Sequence, residues 1–310
     1  MTKKIKDYTY NIYELTKRNM LIFFKNKTTI FFSLIAPVLI LLIYILFLSD
    51  FQVNMIMDSF ENINLNKSEI KSIVNSWVIS GIIGISILTV ALNTMFITIS
   101  DRETKVFNDF QASPVNIINL TLSYFISAVI ITFIISLMFA IVGTTYLLST
   151  GGSMFLFSFV EILKLLGIIL ISSLSAVIIL MFITSFFKKT STAASFTGIF
   201  TALIGFLVGA YLPSSILPKR VQNVANLVPG THSTSLFRQL YLDKVFNNSN
   251  IIDKVSSEFI DSIKTQYSYN LIVFNYEFNT ITMLLYLLLS IIVFFVIYLL
   301  ISNYRKKNKI

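Results

Sequence analysis

Six long apolar runs, almost free of charged residues, dominate the sequence. They are Thr28–Leu48, Trp77–Ile99, Leu120–Leu148, Leu165–Phe187, Ala193–Leu212 and Ile281–Ile301. Each run reaches the roughly 20 residues that a helix needs to cross about 30 Å of hydrocarbon. Because lipid offers no hydrogen-bond partners, backbone at that depth has to be helical or enclosed by protein. The pattern therefore predicts an all-α integral membrane protein with six transmembrane helices.

The chain before the first run has its own periodicity. Within residues 1–27, Ile5, Tyr8, Ile12 and Leu15 fall near one helical face, and Lys and Arg occupy the others. This pattern predicts an interfacial elbow helix that lies on the inner leaflet and leads into a six-span domain over residues 28–310. The alternative interpretation is a disordered basic tail.

Two segments between the runs are expected on the opposite, outer side. Residues 50–76 form a modest loop with a charged middle. Residues 213–280 form a segment that is too long to be plain loop, so it should carry structure of its own. Within it, apolar residues recur at helical spacing and predict an amphipathic helix, either packed on the outer segment or lying on the membrane; they are Ile251, Ile252, Val255, Phe259 and Ile263.

Charge sets the expected orientation. Lys and Arg concentrate in the N-terminal segment, in the loops after the second and fourth runs, and in the C-terminal tail. An excess of positive charge marks cytoplasmic loops, so both termini are predicted to be cytoplasmic in a plasma membrane. The net charge of +9 is then explained by topology and by contact with anionic lipids, and no nucleic acid partner is expected.

Several kinds of chemistry are missing from the sequence. There is no cysteine, His232 is the single histidine, and no phosphate-binding G-x-x-x-x-G-K-[ST] motif is present. We therefore expect no catalytic residue, no metal site and no cofactor bound by this chain. The runs hold almost no ionisable residue of the kind that ion-coupled carriers use. Glu161 and Lys164, at the start of the fourth run, are expected to pair with each other. The chain is then either a passive pore or a transporter whose energy comes from a partner.

The loop after the second run carries the most distinctive motif. It begins Asp101-Arg102-Glu103 and ends Ser113-Pro114, a pair that suits a helix start. A short surface helix is predicted over residues 101–116. The outer segment carries a second motif, which consists of Pro218, Val221, Pro229, Thr231, His232 and Arg238. A third motif is the elbow, from Arg18-Asn19 to Lys25-Asn26-Lys27, followed by Pro37 in the first run.

Taken together, these motifs resemble the type-2 exporter permeases of ATP-binding-cassette transporters, in their drug- or toxin-export-like branch. The resemblance implies a bacterial membrane subunit that pairs with a second permease chain, identical or related, and docks separate ATPase subunits that hold ATP and Mg. The short cytoplasmic helix would be the coupling helix, and the alternative is a solvated loop. The implied coupling residues are Asp101, Arg102, Glu103, Lys105, Asp109 and Pro114. The implied outer-gate residues are Pro213, Pro218, Pro229, His232 and Arg238.

Small residues form an unbroken stripe on the fifth run. They are Ser191, Ser195, Gly198, Ala202, Gly205 and Gly209, and another face carries Phe196 and Phe200. Small residues let membrane helices approach closely, so the stripe indicates packing within the subunit, or a subunit interface or translocation path. The second run has a comparable set in Ser80, Gly84, Asn93 and Thr94. A weakly polar, uncharged lining of this kind suits hydrophobic or amphipathic cargo.

The function expected from the sequence is that of the membrane subunit of an ATP-driven exporter that does not itself hydrolyse ATP. Its cargo would be a drug, an amphipathic peptide or toxin, or a lipid-like molecule. The first alternative is a permease for a polysaccharide or lipid-linked glycan, for which the runs offer few polar groups. The second is an ATP-independent channel or membrane scaffold.

Overall fold

The computed structural model describes residues 2–60, 65–112 and 115–307, and most of these residues are helical. In chain order the elements are α1 (Thr2–Lys25), α2 (Lys27–Ile43), a π-helical turn (Tyr44–Leu48), α3 (Ser49–Ser59), α4 (Lys67–Glu103), α5 (Val106–Ala112), α6 (Ile117–Gly151), a 3-10 turn (Gly152–Phe155), α7 (Phe159–Thr184), α8 (Thr190–Leu207), a 3-10 turn (Ser214–Ile216), α9 (Lys219–Asn226), α10 (Pro229–Phe246), α11 (Ser249–Ile252), α12 (Ser257–Gln266), β1 (Leu271–Val273), β2 (Tyr276–Phe278) and α13 (Thr280–Lys307).

Among the described residues, six helical stretches are long and apolar enough to cross a membrane. They are Lys27–Ser59, Lys67–Glu103, Ile117–Phe155, Phe159–Thr184, Thr190–Leu207 and Thr280–Ile301. Strands β1 and β2 form a single antiparallel hairpin, and they are the only strands among the described residues. The predicted all-α class with six spans is confirmed.

The predicted outer loop over residues 50–76 is wrong in extent, because most of it is helix. The first span continues through the π-helical turn to Ser59, and α4 begins ten residues before the apolar run, at Lys67. The side chain of Asn66 and that of Glu69 form a capping box that starts α4 there. Hydropathy detects the part of a helix inside lipid, and it misses the part that packs against protein outside.

The fifth span is shorter than predicted. Helix α8 ends at Leu207 rather than at Leu212, because the chain turns at Gly209, whose φ is +67°. The N–H groups of Ala210 and Tyr211 both donate to the carbonyl oxygen of Gly205 and close the helix end. A left-handed glycine just past the last turn is a common way to end a helix.

The outer segment carries structure of its own, as predicted, from the 3-10 turn at Ser214 to the hairpin. The expected amphipathic helix over residues 251–263 is split, since α11 ends at Ile252 and the side chain of Ser256 caps α12. The buried face is nevertheless largely the predicted one, with Ile251, Phe259 and Ile263 in the core. Of the two alternatives for this segment, the structure favours packing on the protein.

Helix α4 is the central helix of the fold. In its most apolar stretch 94% of the residues are buried, against 17% in α8 and 11% in α13. Helices α2, α6, α7, α8 and α10 all pack against α4. The second span is therefore an interior element, whereas α8 and α13 present most of their surface to lipid or to another chain.

Candidate functional site

A partly buried ion pair lies at the end of α4, beside α5. Arg18 of α1 donates two hydrogen bonds to the carboxylate of Asp101, at 2.7 and 2.9 Å. The hydroxyl of Tyr124, from the first turns of α6, donates to the same carboxylate at 2.5 Å. The Asp101 side chain thus connects α4 with α1 and α6, through residues that are distant in the sequence. Hydrogen bonding to Asp101 raises the pKa of the Arg18 guanidinium.

An aromatic ring of α5 packs over this ion pair. The Arg18 guanidinium lies 5.1 Å from the ring centroid of Phe110, on α5. Phe107 and Phe110 pack against an apolar cluster that includes Leu15 and Phe23 of the elbow helix. That Asp101 contacts an ATPase stays a prediction; in the subunit its side chain is buried and accepts three hydrogen bonds from Arg18 and Tyr124. The Asp101 side chain positions α1 and α5 relative to α4.

Of the other predicted coupling residues, Glu103, Lys105 and Asp109 are exposed and Arg102 is half-buried. The Glu103 carboxylate accepts a hydrogen bond from the backbone N–H of Thr190 at 2.8 Å, at the start of α8. Arg102 donates to the carbonyl oxygen of Ser185, at the end of α7. Lys105 and Asp109 are exposed, and Lys105 has a positive φ of 63° at the turn into α5. The α4–α5 corner is thus tied to α7 and α8. Pro114 lies outside the described residues.

A membrane cavity of about 320 Å³ lies between α4, α7, α8 and the junction of α9 with α10. Its lining contains three serines and no charged side chain. The residues are Gly84, Ile87, Leu88, Ser172, Ser175, Ala176, Ile179, Leu180, Ile183, Phe200, Ile204, Leu207, Leu227, Val228, Pro229, Gly230 and Ser233. Among the predicted path residues, Gly84 and Phe200 meet here, together with Pro229 from the predicted gate.

The rest of the predicted α4 stripe does not line this cavity. Ser80, Asn93 and Thr94 are buried within the subunit, and each side chain donates to a backbone carbonyl of its own helix. Gly84 lets α10 approach, since a Cβ at this position would overlap Thr234. Three of the four predicted residues are thus packed inside the subunit, and their role in a path stays a prediction.

The α8 stripe divides into an exposed half and a buried half. Gly198 and Ala202 are exposed, and nothing lies within 4 Å of where a Cβ on Gly198 would stand. Gly205 is buried, and a Cβ there would overlap the ring of Tyr211. Packing within the subunit thus accounts for Gly205, while the exposed half remains available for a partner. On another face, the Phe196 and Phe200 rings stack at 5.6 Å.

Of the predicted gate residues, Arg238 contacts the end of α8. Arg238 is almost completely buried, and it donates to the carbonyl oxygens of Val208 and Gly209, both at 2.8 Å. These are carbonyls that the end of α8 leaves without helical partners, so the arginine caps the fifth span from α10. Burial lowers the pKa of Arg238 to about 9, and it stays charged at neutral pH.

His232 joins α9, α10 and α13. Its ring stacks on Tyr286 at 4.1 Å between centroids, and its Nε2–H donates to the carbonyl oxygen of Asn226 at 2.8 Å. Burial lowers the pKa of His232 to about 4, so the ring is neutral at physiological pH. Of the prolines, Pro218 precedes α9, Pro229 is the first residue of α10, and Pro213 is buried ahead of them.

The predicted pair between Glu161 and Lys164 is wrong. Glu161 instead forms a 2.6 Å salt bridge with Lys244 of α10, while it also caps α7 through Ser158. The spacing Ser158-x-x-Glu161 is a capping-box signature and could have indicated the cap from the sequence. No local pattern could have indicated Lys244, nor Arg18 as the partner of Asp101, because both contacts span more than 80 residues.

Comparison with known proteins gives one family. A family model described as ABC-2 family transporter protein matches residues 53–301. The match runs from α3 into α13 and includes the cavity, the α4–α5 corner and the outer segment. No curated protein matches the chain.

Proposed function

Because the chain belongs to the ABC-2 family of transporters and is thus a membrane permease subunit of an ABC transporter, we propose that it exports a hydrophobic or amphipathic molecule. The uncharged cavity beside α8 carries this proposal. At about 320 Å³ it is at the lower end of the size of small-molecule sites, and such sites are mostly apolar with a few polar groups. A cargo with a charged or sugar-rich body would meet only serine hydroxyls there.

The exposed α4–α5 corner is where an ABC ATPase subunit would dock. Glu103, Lys105 and Asp109 offer charges of both signs on a surface beside the short helix α5. Two helices that meet at this corner also line the cavity. Helix α4 contributes Gly84, and α8, whose Thr190 donates a hydrogen bond to Glu103, contributes Phe200. A displacement of α5 would therefore move two walls of the cavity. We assign Asp101 to the rigid support behind this surface.

Cargo specificity can be tested on the cavity ring of Phe200. In proteoliposomes that contain the permease and its ATPase, Phe200→Ala should weaken the apparent affinity for an amphipathic dye by about 2- to 13-fold, since an aromatic contact is worth about 0.5–1.5 kcal/mol. Phe295→Ala, an exposed phenylalanine of α13 outside the cavity, is the matched control and should leave transport unchanged. Equal transport by both variants and the wild type would place the cargo elsewhere.

Coupling can be tested on Asp109. Asp109→Lys reverses an exposed charge on α5, and it should reduce co-purification of the ATPase and transport-linked ATP turnover while the permease stays folded, because exposed charges contribute little to folding. Glu258→Lys makes the same change on the exposed face of α12 in the outer segment and should have no effect. If Asp109→Lys and Glu103→Lys both bind and couple normally, the docking surface lies elsewhere.

A further inference from the structure

The hairpin before the last span carries two exposed aromatic residues at its tip, Phe274 and Tyr276, while Phe278 packs against His232 and Tyr286. Strands β1 and β2 are joined by Phe274 and Asn275, with φ of 46° and 72°. Two successive left-handed residues usually call for Asn or Gly, and a bulky side chain there costs about 1 kcal/mol or more. Yet Phe274 is 59% exposed and Tyr276 is 77% exposed. A strained and exposed aromatic tip indicates a contact outside the subunit.

The hairpin lies at the boundary of the lipid-facing surface. β2 ends at Phe278, two residues before α13 begins, and Ile281 in the first turn of α13 is 68% exposed. Within α13 the hydroxyl of Tyr286 donates to the carbonyl oxygen of Leu227, just after α9, at 2.7 Å. Tyr286 is about 9 Å along the helix from Thr280. The end of α9 therefore lies alongside the second turn of the span, within reach of lipid.

Helix α9 continues the same surface. Its exposed apolar residues Val221 and Val224 lie one helical turn apart, and its first residues are the exposed cations Lys219 and Arg220. The side chain of Asn226 donates to the carbonyl oxygen of Ile272 and ties α9 to β1. An apolar face with cations at one end matches the interface between acyl chains and phosphate groups.

We propose that the hairpin tip and the exposed face of α9 form a lipid anchor in the leaflet on the side away from α5. Phe274 and Tyr276 insert among the headgroups and upper acyl chains, where aromatic side chains concentrate in membrane proteins. Lys219 and Arg220 lie at the level of the phosphates. Among residues 270–279, only Glu277 is charged. Its side chain is exposed and accepts a hydrogen bond from the Asn270 side chain, at the end of the hairpin opposite the turn.

Lipid fits this surface better than a second copy of the chain because the surface is continuous with the exposed apolar side of α13. The anchor also reaches the cavity, since Leu227 and Val228 follow α9 directly and line its wall. Anchoring would hold that wall at a constant depth in the membrane. The inference depends on the multi-pass membrane fold and does not depend on the proposed cargo.

The absence of cysteine allows a direct test on the full chain in lipid bilayers. Phe274→Cys, labelled with an environment-sensitive fluorophore, should emit at shorter wavelength than a label at Glu258→Cys on α12. Lipids with a spin label near the headgroup should quench it more strongly than lipids labelled deep in the acyl chain. Tyr276→Cys provides a second position if the turn does not tolerate the first change.

Two outcomes would overturn the anchor. A label at both positions that emits as it does in water, without lipid quenching, would leave the tip in solvent. Formation of a disulfide-linked dimer by the Phe274→Cys or Tyr276→Cys variant, with the label shielded from lipid, would assign the surface to a second copy of the chain. Quenching at either position together with an unquenched label at Glu258→Cys supports the anchor.

Discussion

Replacing Asp101 with asparagine tests the most connected contact in the subunit. The change keeps the size of the side chain but removes its charge and at least one of the three hydrogen bonds that it accepts from Arg18 and Tyr124. Removing one partner of a buried ion pair costs about 3–5 kcal/mol, because the other charge is left uncompensated. The Arg18 side chain is 30% exposed, so water can compensate part of that loss.

We therefore expect Asp101→Asn to destabilise the subunit by about 2–4 kcal/mol. In detergent this loss should lower the melting temperature by about 4–10 °C. The elbow helix should loosen locally, so amide hydrogen exchange should rise in α1 and at the start of α6 and stay unchanged in α12. Glu103→Gln, two residues further on at the surface, is the control and should change the melting temperature little.

A double-mutant cycle gives the sharper measurement. With Arg18→Met and Asp101→Asn, we expect a coupling energy of about 1–3 kcal/mol, as for residues in direct contact. A coupling energy near zero, or an α1 exchange profile identical to that of the wild type, would show that the two side chains do not form the pair. Asp101 would then be free for the ATPase contact that its sequence motif implies.

Three further predictions concern α8 and the outer segment. Gly205→Leu should lower the melting temperature, because the new side chain displaces the Tyr211 ring. Gly198→Leu should fold normally and affect only assembly, because nothing lies within 4 Å of its Cβ position. Equal melting temperatures of the two variants would refute the separation of the stripe into a buried and an exposed half. Arg238→Met should destabilise the end of α8, by about 1–3 kcal/mol, and an unchanged melting temperature would contradict its capping role. His232→Gln should retain most transport. Because the folded pKa of His232 is about 4, below its ordinary 6.5, stability should fall as pH drops from 6.5 toward 4, and less so in the variant.

Hydropathy alone predicted the six spans, because the cost of unpaired backbone in lipid leaves a helix as nearly the only solution. It also predicted the apolar face of α11 and α12, where Ile251, Phe259 and Ile263 are buried. It could not predict that α4 would be the central helix. Its mean hydropathy of 2.1, against 3.1 for α13, and its small polar residues agree with an interior position, but which span is enclosed depends on packing among all the spans.

The site was harder to predict because its decisive contacts are long-range. The charged start of the loop after the second apolar run predicted a single exposed surface, yet Asp101 is buried and Glu103 is exposed. One α-helical residue turns a side chain by about 100°, so neighbours in sequence can have opposite environments. Similarly, Gly198 and Gly205 belong to one stripe, but their surroundings differ. The Tyr211 side chain packs back against α8 at Gly205, and nothing packs at Gly198.

The length and enclosure of α4 have a mechanical consequence. Glu69 near its N-terminal end pairs with Lys254, in the segment between α8 and α13, and Asp101 near its C-terminal end pairs with Arg18 of α1. These two attachment points are about 48 Å apart along a helix that is close-packed over most of that distance. A rod of this length, pivoted at one end by about 5°, moves its other end by about 4 Å, so α4 can act as a lever between the two faces of the membrane.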